Sequence, residues 1–441
     1  MREIGRQRRL RGKAAIGLAA MVALGIGGSL AATQASAATT GASAVRGGTG
    51  GLSISKQYFG STVEPYTGKK TAVYRYTLSN ADGMSVKILT YGGILQQINV
   101  PGKNGQQADV ILGFKTLKDY VTYDSPPVTA NGGPYFGELI GRYGNRIAKG
   151  TFTLNQPGKG PVTYHVPINN NGNSLHGGLV GFGNHIWKAK EVSGNGYVGL
   201  QLTLVSPNGD QGYPATLKDV TTYTLNNSDQ LGIHYKATNE SSNLNTVVNL
   251  TNHAYFNLAG EASPAGSAYG QYLQINANKY TPTDLTQIPL GYNASVFGTP
   301  FDFTKPHTIG GRIDNVSAPD NAPSKYNQLL LAQGYDHNWV LNKQTAATTG
   351  PAGLNLAAKA WDPSSGRGLA VWTDQPGVQV YTSNFLTGTL VGISGHTYRQ
   401  GAGYTFETQH FPNSPNQPNF PSTELKAGQT FTSTTVFAFS S

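Results

Sequence analysis

Cysteine is absent from the whole 441-residue chain. That excludes disulfide bridges, thiolate nucleophiles, cysteine-ligated metals and a lipidated cysteine anchor together. It leaves the compartment open, because a large core can hold an extracellular protein without bridges. Charge is also scarce: 12% of residues are Asp, Glu, Lys or Arg, against 57 glycines, 24 tyrosines and 16 phenylalanines. Long amphipathic helices need more Leu, Glu and Lys than this, so coiled coils and helical bundles are poor readings. The 38% of hydrophobic residues suffices for a sizeable core, which excludes a wholly disordered chain. What is abundant (Gly, Asn, Thr and Tyr) fits short strands joined by turns. The length suits two average domains or one large all-β domain.

The net charge of +10 does not make a nucleic-acid surface. Half of it lies in residues 1–37, where Arg2, Arg6, Arg8, Arg9, Arg11 and Lys13 face one acid, Glu3. The remainder is spread too thinly for a basic stripe, so no nucleic-acid partner is expected. After the basic stretch, residues 14–32 form an apolar run that leads to Ala35-Ser36-Ala37. Basic region, apolar region and small-residue site together predict a secretory signal peptide over 1–37, cleaved after Ala37. An uncleaved membrane anchor is the alternative, since the run is nearly long enough to span a bilayer. Its weak hydrophobicity and the Ala-x-Ala site favour cleavage, a secreted protein and no stable membrane association afterwards. Arg8-Arg9 matches a twin-arginine signal only in part, so either export route fits.

Residues 38–51 are small and polar and read as a flexible linker. From residue 52 to 441 strand-like segments recur, at 73–78, 85–91, 197–205, 220–225, 231–237, 368–372 and 430–439. Helical periodicity is confined to one turn near 116–120, and no composition shift divides the stretch. It reads as one large antiparallel β domain. Asn, Gly and Pro clusters mark long loops at 126–133, 169–173, 260–270 and 412–421, where binding residues usually lie.

Familiar catalytic signatures are missing. There is no His-x-His, His-Glu-x-x-His or His-x-x-x-His spacing, no Gly-x-Ser-x-Gly elbow, no Walker loop and no dinucleotide fingerprint. Zinc chemistry, serine hydrolysis, phosphoryl transfer and nicotinamide redox chemistry lose support. Five polar segments remain: GRYGNR (141–146), NSLHGG (173–178), NLTNHAYFNL (249–258), GYDHNW (334–339) and YTFETQH (404–410). Singly, each has a plain explanation. His253 could be a satisfied core histidine, Asp336-His337 a turn, and Arg142 and Arg146 loop braces bonded to carbonyls. Glu407, in a strand-like stretch, must be solvated or paired. Together they offer histidine–carboxylate acid–base chemistry among amides and aromatics, the groups that bind sugar hydroxyls and ring faces.

In order, GRYGNRIAKGTF, NSLHGG, NLTNHAYFNLAG, GYDHNW and ETQHFPNSPNQPNFPS resemble the aldose 1-epimerase (galactose mutarotase) family. LTYGGILQQINVP, ADVILGF, PGVQVYTSNF and LKAGQTFTSTTVFAFS extend the resemblance over about residues 57 to 441. It implies a large antiparallel β-sandwich, the mutarotase-like supersandwich, and interconversion of the α and β anomers of an aldose such as glucose or galactose. Glu407 falls at the general base, His253 at the general acid and His176 at the second active-site histidine. Asn145, Arg146 and Asp336 match residues that bind the sugar hydroxyls, and no metal or organic cofactor is implied. Tyr143-Gly144 departs from the smaller residues expected there, which predicts altered hydroxyl selectivity beside Arg146. The alternatives are a non-catalytic sugar-binding protein, an epimerase of phosphorylated sugars, and a lyase or hydrolase using two carboxylates.

Overall fold

The computed structural model describes residues 51–124, 133–264, 266–313, 327–345, 348 and 350–441. The expected signal peptide, nearly all of the expected linker, and residues 126–132 and 315–326 lie outside the described residues. Among those described, no helix is long and apolar enough to cross a membrane.

Alternation of apolar and polar residues builds three large antiparallel sheets, beside five two-stranded ones among the described residues. The largest has nine strands, in the order Lys188–Gly194, Tyr197–Ser206, Leu217–Asn226, Gln230–Asn239, Thr430–Ser440, Gly368–Thr373, Asn355–Trp361, Tyr272–Ile275, His307–Thr308. In Leu217–Asn226 the odd-numbered residues Leu217, Asp219, Thr221, Tyr223 and Leu225 are all buried, as a period of two requires. A six-stranded sheet runs Tyr255–Phe256, Tyr404–Gln409, Gly377–Tyr381, Asp336–Leu341, Ala277–Thr281, Ala294–Ser295. A five-stranded meander spans Ser53–Glu64 to Gln107–Asp109.

The six- and nine-stranded sheets pack face to face. The ring of Phe256 lies 5.0 Å from that of Phe437, and the Thr408 and Thr435 hydroxyls approach to 2.6 Å. One apolar cluster takes residues from all three sheets, including Val86, Ile98, Leu202, Ile233, Val378, Val380 and Phe406. The β-sandwich expected from composition and resemblance is therefore the observed architecture. The one expected helical turn is the short helix Leu117–Tyr123, capped by Thr116 Oγ1 accepting from the Asp119 N–H. A second short helix, Gln328–Ala332, has no counterpart in the sequence reading.

The strand Tyr404–Gln409 is buried throughout, so each of its faces meets protein. Phe406 and Thr408 turn to the sandwich core, leaving Thr405, Glu407 and Gln409 on the opposite face. Register carries that face sideways. Glu407 stands opposite Gln379, which stands opposite Asn338, while Thr405, Tyr381 and Asp336 form the next row. The outer face of the six-stranded sheet thus gathers the polar groups of segments about 70 residues apart in the chain.

Candidate active site

A cavity of about 330 Å³ opens over that face. Its walls include Arg146, Asn170, Asn171, Gln287 and Asp336 on a polar side and Tyr123, Tyr135, Tyr255, Tyr381, Phe385 and Leu390 on an aromatic and apolar side. Its size lies at the small end of the range for ligand cavities, roughly 300–1,000 Å³.

Glu407 and His253 meet behind this wall. Glu407 Oε1 is 3.5 Å from His253 Nε2, and both side chains are buried. Thr405 Oγ1 donates to Glu407 Oε1 at 3.2 Å, while Oε2 and His253 Nδ1 have no hydrogen-bond partner. His253 is fixed through its backbone: its N–H donates to Glu138 O at 3.0 Å and its carbonyl accepts from Gly137 N–H at 3.1 Å. Burial drives the pair's proton affinities apart. Desolvation, reinforced by the Asp336 charge, pushes the Glu407 carboxyl up to about 8, and desolvation lowers His253 to about 3.

His176 joins them with its ring centroid 5.1 Å from that of His253, at 83°. It follows the two-residue strand Ser174–Leu175, which pairs with Arg146–Ile147. Backbone bonds clasp His176 to Asn145: His176 N–H donates to Asn145 O and Asn145 N–H donates to His176 Nδ1, both at 3.2 Å. With Nδ1 accepting, the hydrogen of the neutral ring lies on Nε2. Burial, then the His253 and Arg146 charges, hold His176 well below the usual histidine range. The Tyr135 ring, on the cavity wall, packs edge-on against His176 at 4.7 Å.

Asp336 and Arg146 lie on the cavity wall. Asp336 Oδ1 accepts from Gln379 Nε2 at 2.7 Å, and Oδ2 accepts from Gln287 Nε2 at 2.9 Å with Arg146 Nη2 3.7 Å away. Arg146 also donates from Nε to Asn170 Oδ1 at 3.2 Å and from Nη2 to Gln287 Oε1. The 412–421 loop braces it from below, since Asn413 N–H donates to Arg146 O at 2.7 Å. Tyr135, Asn145, Asn171, His176 and Gln287 all hold φ between 46° and 61° or, for Gln287, 63°. Such left-handed backbone in non-glycine residues concentrates where surrounding structure fixes functional groups.

The structure separates residues that the sequence left together. Asp336 and His337 are strand neighbours on opposite faces: Asp336 meets the cavity, while His337 packs against Phe301 at 4.8 Å with Nε2 3.2 Å from Gln328. Arg142 is a brace. Its Nη1 donates to Pro214 O and Ala215 O at 2.8 Å, and its Nη2 donates to Ser206 O at 3.1 Å. Replacing Arg142 by Met strands those buried carbonyls, at about 1–3 kcal/mol each where no water enters. The expected result is a clearly lower urea midpoint with an unchanged KM in the folded protein; an unchanged midpoint contradicts the brace.

Tyr143 is fully buried in a separate cluster with Ile147, Phe152 and Tyr213, and its ring is not on the cavity wall beside Arg146. Asn145 is likewise off the wall, and its Oδ1 accepts from the Arg146 N–H at 2.9 Å. The sequence reading missed Tyr135, Tyr255, Gln287, Gln379 and Tyr381. Tyr255, Gln379 and Tyr381 do lie in stretches already singled out, NLTNHAYFNL and PGVQVYTSNF.

Among the described residues, His176, His253 and Glu407 form a cluster of the composition that holds a metal, with one ligand atom from each within 4.8 Å of the others. His176 fits that role poorly. Its Nδ1 accepts a backbone N–H and its Nε2 then carries the ring hydrogen, so neither nitrogen offers a free lone pair. Hydrogen-bonding groups of both kinds, an aromatic wall and a buried histidine–carboxylate pair thus gather around one small cavity on a β-sandwich.

The sequence profile of the aldose 1-epimerase family matches residues 74–438. The pig (Sus scrofa) galactose mutarotase is 40% identical over 360 residues, covering 82% of this chain and 92% of that protein. The aldose 1-epimerase of Escherichia coli K12 is 32% identical over 365 residues, 82% of this chain and 94% of the relative. The crystal structure of galactose 1-epimerase from Lactobacillus acidophilus superposes with a TM-score of 0.67 at 28% identity, covering 88% of this chain and 99% of that one. The chain belongs to the aldose 1-epimerase family.

Proposed function

We propose that this protein interconverts the α and β anomers of a free aldohexose, glucose or galactose, by acid–base ring opening and re-closure. The observation that carries the reading is the buried Glu407–His253 contact at 3.5 Å beside the Arg146–Asp336 wall. Ring opening removes a proton from the C1 hydroxyl and adds one to the ring oxygen, two oxygens on one carbon. A base and an acid a few ångströms apart match that demand.

Glu407 as carboxylate takes the C1 hydroxyl proton, the C1–O5 bond breaks, and His253 as imidazolium protonates O5. The open chain then stands beside a protonated Glu407 and a neutral His253. Rotation about C1–C2 presents the other face of the aldehyde, His253 takes back the O5 proton during attack, and Glu407 returns its proton to O1. The pair ends as it began, so neither group needs solvent. Bound sugar favours the charged arrangement, because the C1 hydroxyl donates to the carboxylate and O5 accepts from the imidazolium. His176, held by Asn145, donates from Nε2 to the sugar, and Arg146 and Asp336 hold its hydroxyls.

A phosphorylated substrate is disfavoured. Among the described residues of the wall Arg146 is the sole cation, and Arg142 is spent on carbonyls. A two-carboxylate hydrolase is disfavoured because both Asp336 oxygens accept amide hydrogens. Residues 1–37 are proposed as an export signal cleaved after Ala37, so the substrate pool is extracellular sugar.

The pH dependence of kcat/KM tests the pair. One shared proton is needed: above about 8 it leaves Glu407, and below about 3 a second one loads His253. The expected profile is a broad plateau through neutrality with a falling limb near 8. Limbs at the ordinary values, about 4.3 and 6.5, contradict a desolvated pair.

A further inference from the structure

Gln287 stands out because nothing in its sequence context marks it, yet the fold presents it with care. It sits at the tip of a tight loop at φ 63° and is buried on the cavity wall. The loop is closed by Asp284, whose Oδ1 accepts from the Thr286 N–H at 2.7 Å and the Ile288 N–H at 3.1 Å. The Gln287 N–H donates to Asp284 O at 3.0 Å, and Asn173 Nδ2 donates to Thr286 O at 3.3 Å. A strained backbone persists only when its surroundings over-determine it, as here.

Both ends of the carboxamide are used. Oε1 accepts from Arg146 Nη2, and Nε2 donates to Asp336 Oδ2 at 2.9 Å. The two charged groups remain 3.7 Å apart, beyond the roughly 2.7–2.9 Å of a direct charge-assisted bond. An arginine and an aspartate free to collapse would saturate one another and present less hydrogen-bonding capacity to a ligand.

We infer that Gln287 is a positioning residue: its carboxamide, set between Arg146 and Asp336, stops them closing into a direct ion pair and fixes the geometry with which both read the sugar's hydroxyls. The inference rests on the sugar-site reading proposed above. Gln379 holds the other Asp336 oxygen, so without Gln287 the carboxylate pivots about Gln379 toward Arg146. The Glu407–His253 contact lies in the neighbouring row of the sheet and is untouched. Gln287 therefore governs binding and hydroxyl selectivity first, and reaches the chemistry only through the Asp336 charge that adds to burial in raising Glu407.

Two same-length variants test this. Gln287→Met removes both hydrogen bonds; Gln287→Glu keeps an acceptor for Arg146 but sets a carboxylate against Asp336. Galactose and its 2-, 3-, 4- and 6-deoxy analogues are titrated by calorimetry, with polarimetric kcat measured alongside. For Gln287→Met, KM and Kd for galactose should rise about tenfold, the equivalent of ~1.4 kcal/mol, with kcat within about twofold. The wild-type penalty for the deoxy sugar lacking the hydroxyl read by Asp336 and Arg146 should shrink. Gln287→Glu should show the larger rise in Kd and serves if the methionine variant does not fold. Wild-type-like Kd and unchanged deoxy-sugar selectivity in the folded variants overturn the inference, as does an equal penalty on every analogue with a matching fall in kcat. A wild-type protein that binds galactose but does not interconvert its anomers overturns the enzyme reading alone, because the Kd comparison still decides Gln287. Absence of sugar binding by the wild type overturns both.

Discussion

Replacing Glu407 by glutamine is expected to bring anomer interconversion down to the spontaneous rate while galactose still binds. The amide keeps the shape of the carboxylate and its oxygen still accepts from Thr405 Oγ1, 3.2 Å away in the native site. Its place in the sheet, opposite Gln379, depends on backbone register and is unchanged. Only basicity is lost, and a positioned base contributes on the order of 10²–10⁴ in rate. Because the same group must later return the proton to O1, both halves of the reaction fail, and kcat should fall by roughly 10³-fold or more. Arg146 and Asp336 still hold the sugar, so Kd should stay within about tenfold of wild type. A folded Glu407→Gln protein turning over near the native rate contradicts the assignment of the base.

The second large effect is at His253. His253→Asn removes the imidazole that faces Glu407 at 3.5 Å and should lower kcat by on the order of 10²–10⁴-fold. The fold should tolerate the change, since the bonds that fix this residue run through its backbone to Glu138 and Gly137, and Nδ1 has no partner to lose. The comparison with His176→Asn separates acid from binder. His176 spends its Nδ1 on the Asn145 N–H and is held neutral by burial, so its loss should fall mainly on KM. If His253→Asn keeps a near-native kcat while His176→Asn loses it, the two histidines exchange roles.

Much of this site can be read in the sequence, for reasons that are local. Residues 404–407 alternate apolar and polar, and once the stretch is a strand, Glu407 must face away from Phe406. The same period of two separates Asp336 from His337, which on the bare sequence also fitted a turn. Asn-rich stretches such as 169–173 promised a loop beside the site, and Asn170 and Asn171 do line the cavity.

What the sequence hides depends on distant partners. Arg142 and Arg146 lie four residues apart in one motif, yet one feeds the carbonyls of Ser206, Pro214 and Ala215 and the other faces the cavity. No pattern in GRYGNR distinguishes them, because the deciding groups lie some 64 to 190 residues further along the chain. Tyr143 is hidden for the same reason, its burial being set by Phe152 and Tyr213. Gln287 is the extreme case. Its role exists only because a turn built on Asp284 lifts it into the left-handed region between two charges brought in from other strands. Sequence spacing also gave no hint that His176, His253 and Glu407 would converge, since the Tyr255–Thr405 pairing sets His253 beside Glu407 while bonds to Asn145 bring in His176.

The most direct test is polarimetry of freshly dissolved α-D-galactose and α-D-glucose with purified protein lacking residues 1–37, run against a buffer blank and the Glu407→Gln variant. The account predicts relaxation to the anomeric equilibrium faster than the blank with the native protein and at the blank rate with the variant. A native protein that binds either sugar yet leaves its optical rotation decaying at the blank rate contradicts it.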